Sequence, residues 1–220
     1  MDYESFLKLV KNRRSIRDFK TDPIPDDFVD KIIEAARWAP SGFNSQPWEF
    51  VVVKKHELKE SLVNIISEAR GTPSGPPTGM PAHRTPTGYA NAPVFIILFG
   101  DPRVREWAPP PVKSSDERWM SVFTSSLALA FQYMHMAATS LGLGSQWVST
   151  VNHPKADARI KELLGIPIFM EIYDMMAVGY PAIEPREKQM RAREEMVHYD
   201  TCGKDDFRTD EAVKEYFSKT

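Results

Sequence analysis

The run Val94-Phe95-Ile96-Ile97-Leu98-Phe99 constrains this chain most. Apolar residues that are mostly β-branched or aromatic make a strand of this length. A strand sends successive side chains to opposite faces, so a run without a polar residue must be buried on both. Three further runs read as strands: Trp48–Lys54, Gln146–Val151 and Ile172–Gly179.

Helical spacing accounts for most of the remaining apolar residues. Phe6, Leu7, Leu9 and Val10 give a short helix near 3–12. Pro25-Asp26-Asp27 opens a second, because proline and acids suit a first turn. Its apolar positions are Phe28, Ile32, Ile33 and Ala36, and Pro40 stops it. A third spans 56–69 with Leu58, Leu62, Ile65 and Ile66 inward. The longest spans 117–141, with Phe123, Leu127, Ala130, Met134, Ala137 and Leu141 on one face, widened by Met120 and Phe131. So apolar a helix belongs in a core or a subunit interface. Gly142 and Gly144 read as its stop. Shorter helices are expected at 155–164 and Thr209–Lys219.

Two stretches break this pattern. Residues 71–93 hold four Gly and six Pro but no acid, and read as a long lid-like loop. Pro109-Pro110-Pro111 marks a second loop near 101–116. Beyond Pro181 the chain turns polar, with Arg186, Lys188, Arg191 and Arg193 among four Glu in 184–195. This tail is too polar to form a second core, so residues 182–220 are expected to wrap this subunit or a partner. A chain of 220 residues otherwise suits one large domain.

Composition excludes several functions. Lys and Arg number 28 against 30 Asp and Glu, so there is no basic surplus for a nucleic-acid partner. The one cysteine, Cys202, excludes a disulfide framework and a Cys-rich zinc site. The histidines show neither HxH nor HExxH spacing, so no metal is expected, and His135 reads as a satisfied core residue. No GxGxxG or GxSxG is present. The most apolar stretch, near Leu127–Ala138, carries Gln132 and His135 and is too short for a bilayer. The N-terminal residues lack the apolar core of a secretory signal. The expectation is a cytoplasmic protein without a membrane partner.

Two constellations carry chemistry. Arg13-Arg14-Ser15-Ile16-Arg17 places three guanidiniums and a hydroxyl within five residues. Such forks match phosphate oxygens, and a cation beside a bound ring can stabilise charge that appears on reduction. A solvated basic turn would use the same residues. Pro40-Ser41-Gly42-Phe43-Asn44-Ser45-Gln46-Pro47-Trp48 offers short donors and acceptors from a loop pinned by prolines, able to read the polar edge of a heteroaromatic ring. An ordinary helix-to-strand turn also explains most of it.

Together, and followed by Leu141-Gly142-Leu143-Gly144-Ser145-Gln146-Trp147 and Val178-Gly179-Tyr180-Pro181, these segments resemble the nitroreductase family over residues 3–200. The resemblance implies an α+β fold in three layers, α/β/α, with a mostly antiparallel sheet flanked by helices. It implies a homodimer in which the C-terminal arm, 182–220, is exchanged. It also implies non-covalent FMN at the dimer interface, NADH or NADPH as electron donor, and ping-pong reduction of a small aromatic or conjugated acceptor such as a nitroaromatic or quinone. No side-chain general acid is expected.

By position, Arg13, Arg14 and Ser15 resemble phosphate ligands and Arg17 the charge near flavin N1 and O2. Pro40, Ser41, Gly42, Asn44 and Gln46 match the loop that reaches the flavin from the other subunit. Trp147, Val148 and Ser149 match the strand end passing over the ring, with Ser149 near N5. Lys188, Arg191 or Arg193 matches a further phosphate ligand. Gly42 departs from the second serine of many members. The Glu, Tyr and Lys lid of dehalogenating members has no counterpart in the acid-free 71–93, which argues against iodotyrosine-type substrates. His83, Arg84 and Tyr89 are left as lid residues able to meet an acceptor. A specialised relative, whether a dehalogenase, a dehydrogenase or a flavin-cleaving enzyme, and a non-catalytic FMN storage or sensing protein remain alternatives.

Overall fold

A computed structural model describes residues 2–71, 88–185, 187–203 and 206–219. Two compact units make up the chain, Met1–Pro185 and Arg186–Thr220.

The first unit is built on four strands: β1 (Trp48–Val53), β2 (Val94–Gly100), β3 (Gly144–Val148) and β4 (Glu171–Gly179). Their order is β1-β2-β4-β3, and every pairing is antiparallel. All seven residues of β2 are buried, as the uninterrupted apolar run requires. Phe95, Ile97 and Phe99 face one cluster with Leu62, Ile65 and Ile66 of helix α3 (His56–Arg70) and Ala156 and Ile160 of α6 (Pro154–Leu164). Val94, Ile96 and Leu98 face another, with Val29, Ile32 and Ala36 of α2 (Asp26–Arg37) and Phe123, Leu127, Ala130, Phe131 and Met134 of α5 (Asp116–Ser140). The sheet is therefore the middle of three layers. Each fully buried side chain of β2 contributes roughly 1.5–3 kcal/mol.

Several expectations shift. Helix α1 (Tyr3–Asn12) forms where its periodicity placed it, started by Asp2, whose side chain accepts from the Ser5 N–H at 2.8 Å. No residue of α1 is buried, and Phe6 and Val10 are exposed within this chain. Met120 is likewise exposed rather than part of the buried face of α5. The 101–116 segment is not irregular: it holds a 3-10 turn at Pro102–Trp107 and the one-turn helix α4 (Pro110–Lys113). Prolines start both, where a missing N–H costs nothing.

β3 begins two residues before the expected strand and ends at Val148. Gly142, at φ +75, turns the chain so tightly that it re-enters the sheet at once. Gly144 is a strand residue, not a helix stop: a Cβ there would lie 2.5 Å from Ile16 Cγ1. The apolar Val151 that extended the run is buried from a 3-10 turn, Ser149–Asn152. No helix among the described residues is long and apolar enough to cross a membrane.

The second unit holds a 3-10 turn at Arg193–Glu195 and helix α7 (Asp210–Lys219). None of its described residues is buried. His198 sits 3.4 Å from Asp206 and packs on Phe207, and Arg208 lies over the Tyr216 ring.

Candidate functional site

The basic segment leaves the end of α1 and runs along the outer side of β3. Ser15 bridges Ser145, and the Ile16 N–H donates to the Ser145 carbonyl at 2.9 Å. Ile16 and Phe19 are buried and anchor the segment, while Ser15 and Arg17 remain exposed. Arg13 and Arg14 are half-buried. Arg14 donates to the carbonyls of Arg13 and Lys11. Arg13 has no carboxylate partner among the described residues. Burial, with the Arg14 charge beside it, holds its guanidinium below the usual pKa. Two neighbouring guanidiniums, one of them unpaired and partly desolvated, form a ready anion site.

Behind this segment lies His135 of α5. Its Nδ1 is 2.7 Å from Ser145 Oγ, and its ring stacks on Trp147 with centroids 5.7 Å apart. Burial, with a smaller contribution from Arg13, pulls its pKa down to about 4. It is neutral at pH 7. Its Nε2 is buried without a partner among the described residues, as is Gln146 Oε1. The expectation of a fully satisfied core histidine therefore holds for only one of its nitrogens.

The 40–46 loop is backbone-strained. Phe43, Asn44 and Gln46 take φ of +57°, +54° and +42°. Of these residues, only Asn adopts the left-handed region readily. Each such residue costs of order 1–3 kcal/mol and persists only where its surroundings dictate it. Ser41 Oγ accepts from the Gln46 N–H at 3.0 Å, and Gln46 Nε2 donates to Asn44 Oδ1 at 3.2 Å. The Gly42 N–H donates to Ser126 Oγ of α5 at 3.0 Å. A Cβ on Gly42 would lie 2.1 Å from Val122 Cγ1, which explains the glycine in place of a serine. Two clefts flank the loop. One of about 240 Å³ runs along α5 between Pro40, Ser41, Ser125 and Leu129. The other, of about 190 Å³, lies between Phe43, Ser45, Val104, Trp107 and Trp119.

At the end of β3, Trp147 is 38% exposed and its indole Nε1 donates to Asp174 Oδ2 at 2.5 Å. Val148 is fully buried, so only its backbone is available to a ligand. Ser149 is exposed and opens the following turn. That turn is tied down by Arg70, which donates to Thr150 Oγ1 at 2.6 Å, and by Asn152, which donates to the Tyr173 carbonyl at 2.9 Å.

Of the lid residues, His83 and Arg84 lie outside the described residues. Tyr89 is no lid residue: it is fully buried against Phe95, and burial pushes its hydroxyl up to about 12. Within the second unit Arg191 is paired with Glu195 and Arg193 donates to Tyr199 Oη, whereas the exposed Lys188 has no partner among the described residues.

The chain thus gathers Arg13, Ser15, Gln146 and Trp147 beside the His135 part of α5, with Ser149 in the following turn, which packs on α3 and α6, and it sets Ser41, Gly42, Asn44 and Gln46 by Ser126. Ser126 and His135, which mark the two places, are separated by about 14 Å of helix. Sequence reading missed Ser126, Val122, Arg70 and Asp174. The one available signal was the lone acid in the otherwise mostly apolar run Ile172–Gly179.

The sequence model described as "Nitroreductase family" matches residues 10–180. The chain belongs to the nitroreductase family. A relative from Archaeoglobus fulgidus, provisionally named NADH dehydrogenase/NAD(P)H nitroreductase, is 27% identical over 181 residues, covering 82% of this chain and 88% of that one. Iodotyrosine deiodinase 1 of Rattus norvegicus is 28% identical over 192 residues, covering 83% of this chain and 64% of that one. Among solved structures, an FMN-dependent nitroreductase from Clostridium difficile superposes with a TM-score of 0.66 at 25% identity, covering 89% of this chain and 99% of that one. This nitroreductase-family chain therefore shares the fold, mixed helices around an antiparallel sheet, with its relatives.

Proposed function

We propose that this nitroreductase-family protein is an FMN-dependent oxidoreductase that reduces nitroaromatic, quinone or related conjugated acceptors with NAD(P)H by a ping-pong mechanism. The observation that carries the proposal is the partly desolvated Arg13, without a carboxylate partner among the described residues, beside Arg14 and near His135 Nε2 and Gln146 Oε1, both buried without a partner among those residues. That donor set fits an anionic phosphate joined to a polar heteroaromatic ring.

When bound, FMN supplies the hydride and electron chemistry. Arg13, Arg14 and Ser15 would hold its phosphate. Arg17 would place positive charge near N1 and O2, favouring the reduced state electrostatically. The Ser149 hydroxyl would stand near N5. Lys188, Arg191 or Arg193 would add a phosphate contact, and Lys188 is the one without a side-chain partner among the described residues. Trp147 and Val148 would place the strand end over the ring.

Pro40, Ser41, Gly42, Asn44 and Gln46 lie about two and a half turns of α5 away from the basic segment. Their part in the same cofactor site calls for a second copy, whose 40–46 loop meets this copy's Arg13–Arg17. The exposed Phe6 and Val10 of α1 and the coreless segment 182–220 support the same homodimer, with the arm wrapping the partner. The deiodinase relative supports a second reading, a dehalogenase acting on a halogenated phenol.

The test is a visible spectrum of the FMN-loaded protein before and after anaerobic NADH or NADPH, followed by nitroaromatic, quinone and iodotyrosine acceptors. Bleaching by a nicotinamide and reoxidation by the nitroaromatic or quinone are expected. Flavin that stays oxidised would indicate a store. Reoxidation by iodotyrosine alone would select the dehalogenase, and no flavin binding would overturn the assignment.

A further inference from the structure

Asp174 is a carboxylate in a place that ordinarily excludes one. It lies on β4, an inner strand, opposite Leu98 of the fully buried β2, and is 5% exposed. No Lys or Arg among the described residues pairs with it. Burying a carboxylate without a cation is costly, so such a group calls for an explanation.

The contacts of Asp174 supply one. Oδ2 accepts the Trp147 indole N–H at 2.5 Å, and Oδ1 is 3.5 Å from Asn152 Nδ2. The Asn152 amide also donates to the Tyr173 carbonyl. Leu98 pairs with Asp174 and Phe99 with Ile172, so Tyr173 is the extra residue of a bulge. Bulges re-aim the side chains beside them and recur next to functional sites. Asp174 thus grips both ends of the segment Trp147–Asn152, which contains Ser149. Trp147 in turn lies against His135, Phe131 and Tyr173.

We propose that Asp174 is a positioning residue that fixes the end of β3 against the flavin through the Trp147 indole and the Asn152 amide. The inference rests on the reading of this strand end as the part of the FMN site that faces the ring.

The charge environment supplies a readout. Desolvation outweighs the Trp147 hydrogen bond and pushes the Asp174 carboxyl up to about 7. The titratable groups around it are Tyr173, raised to about 12 mainly by burial and further by Asp174, and His135 behind Trp147, which is neutral above about pH 4. Neither changes charge between pH 5 and 9. A titration of the strand end in that range therefore reports Asp174.

The experiment follows the Trp147 indole N–H by ¹⁵N NMR in the FMN-loaded protein, its resonance assigned by loss in Trp147→Phe. The flavin midpoint potential is measured across pH 5–9. In the wild type the indole signal should move with a midpoint near pH 7, and the potential, taken as its difference from that of Asp174→Asn at each pH so that the flavin's own proton uptake cancels, should shift across the same midpoint. Asp174→Asn keeps an acceptor of the same shape but no titrating charge. It should keep the indole signal downfield, abolish the indole transition and leave FMN affinity within about fivefold, the scale of one neutral hydrogen bond. Wild-type protein that binds FMN but shows neither transition, or Asp174→Asn that retains the indole transition, would overturn the inference. An indole transition without a flavin transition would leave Asp174 holding Trp147 but remove it from the flavin site. Wild-type protein that binds no FMN would overturn the cofactor assignment instead.

Discussion

Replacing Gly42 by Ser restores the pair of hydroxyls that many nitroreductase-family members carry, and in this chain it should do harm. The new Cβ would sit 2.1 Å from Val122 Cγ1 and 3.6 Å from Val122 Cβ. Ordinary contact begins near 3.4 Å. Val122 cannot easily turn away, because a β-branched side chain on a helix has one strongly preferred χ1. The loop must then lift from α5, straining or losing the 3.0 Å bond from the Gly42 N–H to Ser126 Oγ. Overpacking of this kind costs about 1–3 kcal/mol, and a lost hydrogen bond about 1 more. For a chain of this size each kcal/mol lowers Tm by roughly 2–4 °C. Thermal unfolding of Gly42→Ser, with and without FMN, should therefore show a drop of roughly 4–16 °C. The double substitution Gly42→Ser/Val122→Ala removes the obstacle and should recover at least about 1 kcal/mol relative to the sum of the single changes. Gly42→Ser as stable as wild type, or single changes that simply add, would refute the claim that Val122 dictates the glycine.

Arg13→Ala should weaken FMN binding by about 1.5–3 kcal/mol, roughly 10- to 150-fold, read by flavin fluorescence titration; unchanged affinity would remove Arg13 from the phosphate. Because the Asp174 pKa is raised in the folded state, its contribution to stability is absent at low pH, turns unfavourable as pH rises above about 4 and levels off above about 7. Relative to Asp174→Asn, wild-type stability in urea should thus fall by roughly 2 kcal/mol from pH 5 to pH 7, and a flat difference would contradict the burial argument. Truncation after Pro185 should leave monomers or insoluble protein in sedimentation; a flavin-loaded dimer without the arm would contradict arm exchange.

Much of the sheet was legible because β2 has no polar residue to disguise its two buried faces. Helices α2, α3 and α5 followed from the spacing of their apolar residues, and α2 also from its opening Pro-Asp-Asp. The glycines were harder. Around Gly42 and Gly144 the sequence suggests a turn and a helix stop, yet both serve close approach, one to Val122 and the other to Ile16. The left-handed residues are Phe43, Asn44 and Gln46 instead, and no local propensity favours that for Phe or Gln. Tyr89 looked like a loop residue because it follows a Pro- and Gly-rich stretch, but its ring packs on Phe95, a contact set by tertiary structure. The basic segment was legible as chemistry. Its seat along β3 was not, since it depends on the Ser15–Ser145 bridge between residues far apart in sequence. Asp174 and His135 gain their meaning from Trp147, and that pairing exists only once β3 and β4 are in register.

The two margins of the sheet are unlike. Beyond β3, the stretch from Ser15 to Lys20 lies against the chain, joined at Ser15–Ser145 and Phe19–Pro181, and closes that side to an incoming strand. β1 has β2 as its only partner strand among the described residues. Any recruitment of a further strand would therefore be one-sided. A sheet that can accept at both margins can polymerise without limit, whereas one that accepts at a single margin is finished after one addition. In the proposed dimer, the peptide that carries Arg13 and Arg17 would also act as a terminator, confining any extension of the sheet by a partner to the β1 margin.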